Sequence, residues 1–445
     1  MNPIRRPSSG FHLLIRLAVG LLLLAPWLAT AGRAADADSE LKLVVILTRH
    51  GVRSPLRTNE QLGQYSAEPW PAWSVAPGIL TPHGKQEMLL MGAYYRMRLI
   101  DEGLLTGRVA DDLPRIYFRS DSDQRTMETA RDLAAGLVPG TDPDPHALPH
   151  QQADPLFQPV KLNLGSPDRN AGVAAVLGRV GHDPANVIRA NRAAFLALQQ
   201  VLLGPSGVTP AGKINLLDLP SEVQPGKLDH TVGFEGPLHV AEQIVDALIL
   251  EYAEGLPMSQ VGWGRLSPET LTQLIQLHAL HFDLVGATFY PAQVQGSNLS
   301  SHLLDTLDQA ATGQARAGAF GHPGQNVVVV VGHDTNIANL GGLLGLGWWL
   351  PGTQANPVLP GGALVFELRQ RRSDGKKVVR TYYVSQTLLQ TRELSPLTLE
   401  HPPALAPIYV PNCSEPGPTC DVPLEKFTAL LRRVIDPRYV VPGAP

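Results

Sequence analysis

Five short apolar runs dominate the hydrophobic pattern of this chain. Residues 43–47 (Leu-Val-Val-Ile-Leu) and 327–331 (five valines) are each followed by a cluster of polar residues, and we predict both to be buried strands. Residues 115–120, 363–368 and 378–385 have the same character. The pattern therefore predicts a sheet built from both halves of the chain.

Helical patterns alternate with these strands and then take over the middle of the chain. Thr81-Pro82 is a typical helix start, with threonine as N-cap and proline in the first turn. Between about residues 170 and 285 the strand signals fade, and helical periodicity covers 187–203, 238–252 and 268–282. A helical block therefore interrupts a strand-rich chain.

This organisation predicts an α/β protein with a helical insertion. We assign residues 41–165 to the first part of an α/β domain, 166–289 to a helical cap domain and 290–440 to the second part of the α/β domain.

The N-terminus differs from the rest of the chain. Arg5 and Arg6 precede an apolar run over residues 13–28, and small residues follow it. This order is typical of a secretory signal peptide, which we predict at 1–35. A membrane anchor is the alternative, but the run is short for a span and contains Arg16. We expect a periplasmic or secreted protein without a stable membrane anchor.

Charge and composition narrow the range of partners. The chain of 445 residues is 44% hydrophobic, as in ordinary globular proteins. Loss of residues 1–35 removes four arginines and no acidic residue, and takes the net charge from −4 to −8. Such a protein is a poor candidate for nonspecific nucleic-acid binding, so attraction for an anionic substrate must come from a local cluster of arginines.

The chain has two cysteines, Cys413 and Cys420. Two thiols this close in an exported chain predict a small-loop disulfide. A metal site is the alternative, but further ligands are missing nearby in the sequence.

The polar clusters after the two main strands indicate phosphate chemistry. Arg49, His50 and Arg53 follow the first strand, and His333 and Asp334 follow the second. A neutral imidazole is a nucleophile, and guanidinium groups match phosphoryl oxygens. The two arginines should also lower the pKa of the histidine, because protonation adds a third positive charge. We predict metal-free phosphoryl transfer through a phosphohistidine, with no cofactor.

Residues 49–55 match the pattern RHGxRxP, and a distal His-Asp pair completes a known combination. The chain resembles the histidine acid phosphatase family, most closely its bacterial periplasmic phytase and acid phosphatase branch. Residues 332–342 and 360–367 fit that branch as well. The resemblance implies a mixed sheet flanked by helices, as in phosphoglycerate mutase, with an inserted helical cap and the active site between the two.

The resemblance also implies roles for individual residues. His50 would be the nucleophile. The residues expected to bind the phosphoryl oxygens are Arg49, Arg53, Arg125 and His333. Asp334 would protonate the leaving oxygen and then take a proton from the attacking water. A helix N-cap is the alternative role for Asp334.

Arg125 opens a predicted helix, where an anion is favoured. The alternative is a surface ion pair with Asp121 or Asp123. Arg119 is a rival for the phosphate-binding position, but it lies nearer the strand and could point away from the cleft.

Substrate contacts are also inferred from the resemblance. The residues expected to line the substrate pocket are Arg57, Asp121, Asp246 and Thr335. Leu56 replaces a hydroxyl residue of well-known relatives. A solvated helix face is the alternative for Asp246. Lys85 could add charge for a substrate with several phosphates, although an exposed position at a helix start is preferred.

We therefore expect a monomeric acid phosphomonoesterase that acts on a small phosphomonoester, with phytate favoured. A glucose-1-phosphatase or a broad acid phosphatase on the same fold is the alternative. A non-catalytic phosphate-binding protein would need neither His50 nor Asp334. A phosphoglycerate-mutase-type transferase shares the Arg-His-Gly start, but Arg53, Pro55 and the His-Asp pair favour the phosphatase.

Overall fold

The structure is a computed structural model, and it describes residues 38–228 and 230–443. The predicted signal peptide at 1–35 lies outside the described residues. The strands are β1 (Ser39–Arg49), β2 (Ile116–Ser120), β3 (Glu222–Pro225), β4 (Val232–Glu235), β5 (Val327–Gly332), β6 (Ala363–Arg371), β7 (Lys377–Ser385), β8 (Ala404–Pro407) and β9 (Val422–Pro423).

The helices lie between these strands. They are α1 (Asn59–Leu62), α2 (Pro82–Asp101), α3 (Val109–Asp112), α4 (Gln124–Leu137), α5 (Arg169–Arg179), α6 (Ala185–Ala190), α7 (Arg192–Leu203), α8 (Pro237–Ala253), α9 (Pro268–Val285), α10 (Phe289–Thr312), α11 (Asp334–Leu344), α12 (Leu388–Glu393) and α13 (Leu424–Val434). Short 3₁₀ turns cover Leu113–Arg115, Leu216–Asp218, Val261–Gly264 and Pro437–Tyr439.

A mixed sheet forms the centre of the molecule, with the order β2-β5-β1-β6-β7-β8 and β9 beside β7. Strands β2, β5 and β1 are parallel, and β6 runs antiparallel to β1. The sheet confirms the α/β prediction. The register pairs Arg49 with Gly332 and Ser120 with Val331. Three strand ends therefore lie at one edge, where open α/β sheets place their chemistry.

The two faces of β1 feed two separate hydrophobic clusters. Leu43, Val45 and Leu47 pack on one side, in the cluster that includes residues of α10 and α11. Val44 and Ile46 pack on the other, with residues of α2 and α4. Because side chains alternate along a strand, the apolar run 43–47 supplies both layers. Helices therefore cover the sheet on both faces.

The predicted helix start at Thr81 is confirmed. Its hydroxyl oxygen accepts a hydrogen bond from the backbone N–H of Gly84 at 2.9 Å, and Pro82 is the first helical residue. This cap fixes the N-terminus of α2 beneath the first polar cluster, because the backbone N–H of Thr81 also donates to the carbonyl of Val52 at 3.0 Å.

The helical block has a hydrophobic cluster of its own, built mainly from α7, α8 and α9. The sequence prediction differs here in three details. The helix predicted over 187–203 breaks at Asn191, the hairpin of β3 and β4 lies within the block, and Leu62 and Trp70 from the first segment join its core. The boundaries at 165/166 and 289/290 remain predictions.

The predicted disulfide between Cys413 and Cys420 is wrong for this structure, in which both cysteines are free. Cys413 is buried in the hydrophobic cluster beside the sheet. The Cys420 thiol points instead to the carbonyl of Gly417, from a backbone with a φ of 53°. The two thiols therefore lie in different environments, although the cysteines are close in sequence.

Within residues 38–228 and 230–443, no helix is both long enough and apolar enough to cross a membrane.

Candidate active site

The two polar clusters meet at the edge of the sheet. The backbone N–H of His50 donates to the carbonyl of Gly332 at 3.1 Å, and that of Asp121 donates to Val331 at 3.0 Å. This continues the parallel pairing by one residue beyond each strand, and it brings the ring centroids of His50 and His333 to 5.7 Å. The sequence prediction that both clusters belong to one site agrees with this placement.

A cavity of about 570 Å³ opens between this edge and the helical block. From the sheet side it is lined by His50, Arg53, Pro55, Leu56, Arg57, Gln61, Asp123, Arg125, Phe157, Gln158, Lys161, His333, Asp334 and Thr335. From the helical block and α10 it is lined by His230, His239, Glu242, Gln243, Asp246, His281, Phe282, Val285 and Gln295. Both halves of the fold therefore contribute to one pocket.

The turn after β1 requires a glycine. A Cβ on Gly51 would lie 2.7 Å from the Met88 Cγ and 3.0 Å from the carbonyl oxygen of Gly84. The backbone of Gly51 is also held by the Thr129 hydroxyl, which accepts from its N–H at 3.1 Å. The close packing of this turn on α2 and α4 fixes the direction of the neighbouring His50.

His50 is buried, and its Nδ1 lies 2.9 Å from the carbonyl oxygen of Gly51. Because a carbonyl only accepts, Nδ1 carries the proton and Nε2 keeps its lone pair. Burial, followed by the charges of Arg53 and Arg125, holds the pKa of this imidazole well below its usual value. The expected direction is confirmed, but burial is a larger cause than the arginines that the sequence showed.

Arg49 and Arg53 share one carboxylate. The Nη2 atoms of the two arginines donate to the Oδ1 and Oδ2 atoms of Asp246 at 2.8 Å and 3.0 Å. Arg53 lines the cavity, whereas Arg49 is fully buried behind its wall and also donates to the carbonyl of Val358 at 2.6 Å. Asp246 is 7% exposed, so the alternative of a solvated helix face is wrong.

Asp334 is the first residue of α11, and its Oδ2 lies 3.0 Å from the Arg49 Nη2. The N-cap position belongs to His333, so Asp334 does not take the alternative capping role. Burial, the largest single effect, raises the pKa of this carboxyl, but the neighbouring positive groups, Arg49 first among them, together outweigh burial and the net pKa is lowered. Without a ligand, Asp334 is therefore ionised at mildly acidic pH.

His333 is held by a fully buried carboxylate. Its Nε2 lies 2.7 Å from the Asp121 Oδ2, and its Nδ1 lies 3.5 Å from the Arg125 Nη2. Asp121 therefore contacts His333 and does not line the open cavity, where the sequence analysis expected it. Since Nε2 donates to Asp121, only the doubly protonated imidazole could donate to a ligand from Nδ1.

Arg125 fits both roles that the sequence left open, a phosphate ligand and a partner in an ion pair. It lines the cavity, and its Nη2 also forms an ion pair with Asp123 at 2.7 Å. The rival Arg119 points away, because it pairs with the buried Asp154. Lys85 pairs with Glu128 and does not line the cavity either.

Asp121, Asp123 and His333 also form the one group in residues 38–228 and 230–443 whose ligand atoms lie close enough to hold a metal ion. Their atoms already serve other contacts: Asp121 accepts from His333, and Asp123 pairs with Arg125. These internal pairs compete directly with a metal, so we assign no metal site here.

The far wall of the cavity was largely missed by sequence reasoning. The Arg57 Nε donates to the Gln243 Oε1 at 2.9 Å, and Gln243 contacts the His239 Nε2 at 2.9 Å. His239 lies 5.6 Å from His281, measured between ring centroids. His239 lies four residues before Gln243 on α8, so the two share one face of the helix, but no local signal in the sequence shows that this face turns toward the cavity.

Comparison with known proteins gives the family. The model of the histidine phosphatase superfamily (branch 2) matches residues 40–170 and 250–384, which is more than half of the chain. Phytase AppA of Escherichia coli is 33% identical over 92% of this chain and 96% of its own length. A glucose-1-phosphatase of Providencia rettgeri is 29% identical over 90% of this chain and 93% of its own length.

Solved structures agree with these relatives. Hafnia alvei phytase in complex with tartrate superposes with a TM-score of 0.83 at 34% identity, over 91% of this chain and all of the other. The phytase from Citrobacter braakii superposes with a TM-score of 0.82 at 31% identity, over 90% of this chain and all of the other. With the sheet edge and its two polar clusters, these matches show that the chain belongs to branch 2 of the histidine phosphatase superfamily and is a histidine acid phosphatase, a phosphoric monoester hydrolase.

Proposed function

We propose that this phosphatase works in two steps through a phosphohistidine at His50. The His50 Nε2 attacks the phosphorus atom, and the bond from phosphorus to the leaving oxygen breaks as Asp334 gives that oxygen a proton. Water then attacks the phosphohistidine, Asp334 takes its proton, and phosphate leaves. The observation that carries the proposal is the hydrogen bond from the His50 Nδ1 to Gly51, which leaves Nε2 unprotonated beside two arginines of the cavity.

The phosphoryl oxygens would bind to Arg53, Arg125 and the Nδ1 of His333. Arg53 and Arg125 line the cavity together with His50, and the charges of both act on its imidazole. Fixed cations of this kind stabilise the charge that develops in phosphoryl transfer. Arg49 would not contact the phosphoryl group directly; it would position Asp246 and Asp334 through its ion pairs with them.

The lowered pKa of Asp334 has a consequence for the first step. A general acid must be protonated, yet Arg49 stabilises the ionised form of this carboxyl. A bound phosphoryl group adds negative charge beside Asp334 and raises its pKa. We propose that the proton enters with the substrate, and we therefore expect an acidic pH optimum.

Phytate is the substrate that we favour, because the cavity continues past His50 into a second cationic region. Arg57 and Lys161 supply the positive charge of that region, whereas burial lowers the pKa values of the neighbouring His239 and His281. Positive charge far from the reacting group suits a substrate with several phosphates. The named phytases among the relatives agree with this proposal.

Glucose-1-phosphate is the second candidate, since glucose-1-phosphatases of similar length match the chain. The ratio of kcat/KM for phytate to that for glucose-1-phosphate decides between the two. Arg57→Gln should lower kcat/KM for phytate by about tenfold, as expected when one charge pair is lost at a bound anion, and should leave glucose-1-phosphate nearly unchanged. Equal loss for both substrates contradicts the assignment of the second region.

The chemical step is tested by quenching turnover rapidly in alkali, in which phosphohistidine survives. Phosphate from a labelled substrate should be found on His50 in the wild type. His50→Ala should fold, as judged by circular dichroism, and should neither label nor turn over. Label on another residue, or turnover by the variant, would refute the mechanism.

We further propose that the mature protein is a periplasmic or secreted monomer. The proposal rests on the sequence of residues 1–35. N-terminal sequencing of the exported protein and its mass in solution test the two parts.

A further inference from the structure

Glu242 is an acidic residue in the wall of an anion-binding cavity, and the proposed mechanism does not use it. It lies on α8 one turn before Asp246, so both side chains leave the same face of the helix. It lines the cavity beside His50, Arg53 and Asp334, and its side chain is 15% exposed. A carboxylate in this position would repel the substrate that the cavity binds.

Its partners differ from those of the other acids in the site. Asp246 and Asp334 each have a guanidinium nitrogen within 3.0 Å. In the described part of the chain, no arginine or lysine lies within ion-pair distance of Glu242; its one ionisable contact is the His278 Nε2, at 3.9 Å. That nitrogen is buried and has no hydrogen-bond partner.

His278 does not supply a compensating charge. It is 2% exposed, and burial lowers its pKa to about 4. At mildly acidic pH it is neutral, so Glu242 faces an uncharged imidazole and two carboxylates.

The ionisable groups around Glu242 come from four elements and one turn. The charged ones are Asp246 on α8, Arg49 at the end of β1, Arg53 in the turn after it and Asp334 on α11, and the neutral His278 on α9 completes the set. Burial, and then the two aspartates, raise the pKa of Glu242 well above its usual value, whereas the arginines oppose the shift. Both arginines form their ion pairs with Asp246 and not with Glu242.

We propose that Glu242 is a specificity-determining residue that, as a neutral acid, donates a hydrogen bond to an anionic oxygen of the substrate and repels the same anion once it ionises. The inference rests on the proposed function, because it takes the cavity to be the substrate site. It adds a gate: the pocket accepts anions while Glu242 is protonated, and the upper pH limit of binding is set by this residue.

Binding of inorganic sulfate tests the gate, because the charge of sulfate stays constant through the neutral range. Calorimetry would compare wild type, Glu242→Gln and the control Glu222→Gln at about pH 5 and about pH 8. Between these values, sulfate affinity of the wild type should fall at least about tenfold more than that of Glu242→Gln, since one like charge appears beside the anion only in the wild type. Glu222 is exposed on β3, outside the cavity, and its variant should follow the wild type.

A second variant separates the donor from the charge. Glu242→Leu has neither, so at about pH 5 it should bind sulfate more weakly than Glu242→Gln, yet show the same weak pH dependence. In turnover, Glu242→Gln should lower KM at the higher pH, because the repulsion is removed, and should leave kcat within about twofold, the pattern of a change in substrate binding alone.

Three results would overturn the gate: a wild-type pH dependence in Glu242→Gln, no sulfate binding by the wild type at either pH, or a loss of kcat at both. Since sulfate binding needs no turnover, the outcome is independent of the catalytic proposal. A wild type that gates sulfate but hydrolyses nothing would refute the proposed function alone.

Discussion

Two of the buried ionic networks among the described residues differ in the share of their hydrogen-bond donors that have a partner. The site network comprises Arg49, Arg53, Asp246 and Asp334. The far network comprises Arg98, Glu102, Glu367, Arg369 and Tyr382. In the far network, Glu367 accepts from Arg98 and Arg369 at 2.7 Å each and from the Tyr382 hydroxyl at 2.8 Å.

The arginine at the centre of the far network is saturated. The Arg369 Nε donates to the Ser39 hydroxyl at 2.8 Å, and its Nη1 and Nη2 donate to Glu367 and Glu102 at 2.7 Å each. In the site network, the Nε atoms of Arg49 and Arg53 are buried without a hydrogen-bond partner. Buried donors are normally paired, and Arg53 lines the cavity, so its unpaired Nε indicates a place for a ligand. Charge alone would not distinguish these two networks; donor satisfaction does.

The largest effect, a loss of turnover, is expected from a substitution in the site network. Asp334→Asn removes the proposed acid, and an alkoxide leaves poorly without a proton. Turnover of phytate should fall by roughly 10²–10⁴-fold, the usual value of general acid–base catalysis. Steady-state kcat at the acidic optimum measures it.

A nitrophenyl phosphate separates this role from a structural one. Its leaving group needs no acid, so the first step should suffer less while hydrolysis of the phosphohistidine stays slow. We expect a burst of one equivalent of nitrophenol followed by slow turnover. Equal loss of the burst and of phytate turnover would contradict the acid role.

Glu367→Gln tests the far network and should act on stability. Removing one partner of a buried ion pair leaves the other charge uncompensated, which costs about 3–5 kcal/mol. The kcat of the folded variant should match the wild type, because Glu367 lies in the middle of β6 and not at the sheet edge. Urea unfolding and kcat together measure the two effects; a stable but inactive variant would reverse the comparison.

The pH dependence of this loss has a definite sign. The net pKa of Glu367 is lowered, because Arg98 and Arg369 outweigh burial. Its stabilisation is therefore present above the unfolded pKa of about 4.5 and is lost as the pH falls through the folded value. Wild type and Glu367→Gln should converge in stability at low pH.

Asp246→Asn makes the same kind of change in the site network. We expect a smaller loss of about 1–3 kcal/mol, because Arg49 keeps Asp334 and Arg53 can take an anion from the cavity. Added sulfate should raise the melting temperature of this variant more than that of the wild type, and should give Glu367→Gln no extra benefit. Equal responses would show that the two networks are alike.

The smallest effect is expected from chelation. The proposed phosphate ligands are guanidinium and imidazole groups, whereas metal phosphatases use carboxylate clusters. Activity in EDTA should equal the untreated activity within error. Loss with EDTA and recovery with one divalent ion would instead assign a metal to the carboxylates of Asp121 and Asp123.

The sheet edge was predictable because each strand carries its own signal. The apolar runs before His50 and His333 marked two strand ends, and the resemblance supplied their adjacency. The position of Asp121 was not predictable, since its contact with His333 depends on β2 lying next to β5. That order is a property of the whole sheet.

The sequence predicted that the cap is helical, but it did not predict which residues of the cap face the cavity. His239 and His281 meet across α8 and α9, and Glu242 on α8 lines the same cavity as Asp334 on α11. Helical periodicity shows which side of a helix is apolar; it does not show which polar residues border a cavity at its margin. The disulfide prediction was wrong for a related reason, because the spacing of two cysteines in the sequence does not show where their side chains point.

The position of β1 in the sheet has a consequence for synthesis. This strand is made early, yet its neighbours on both sides, β5 and β6, come from the last third of the chain. A growing polypeptide therefore carries β1 unpaired on both sides until residue 332 has left the ribosome, and unpaired on one side until residue 371 has left it; such long-range pairing folds slowly. His50 can meet His333 only after residue 333 has been made, so shorter or still unfolded chains lack a complete phosphatase site.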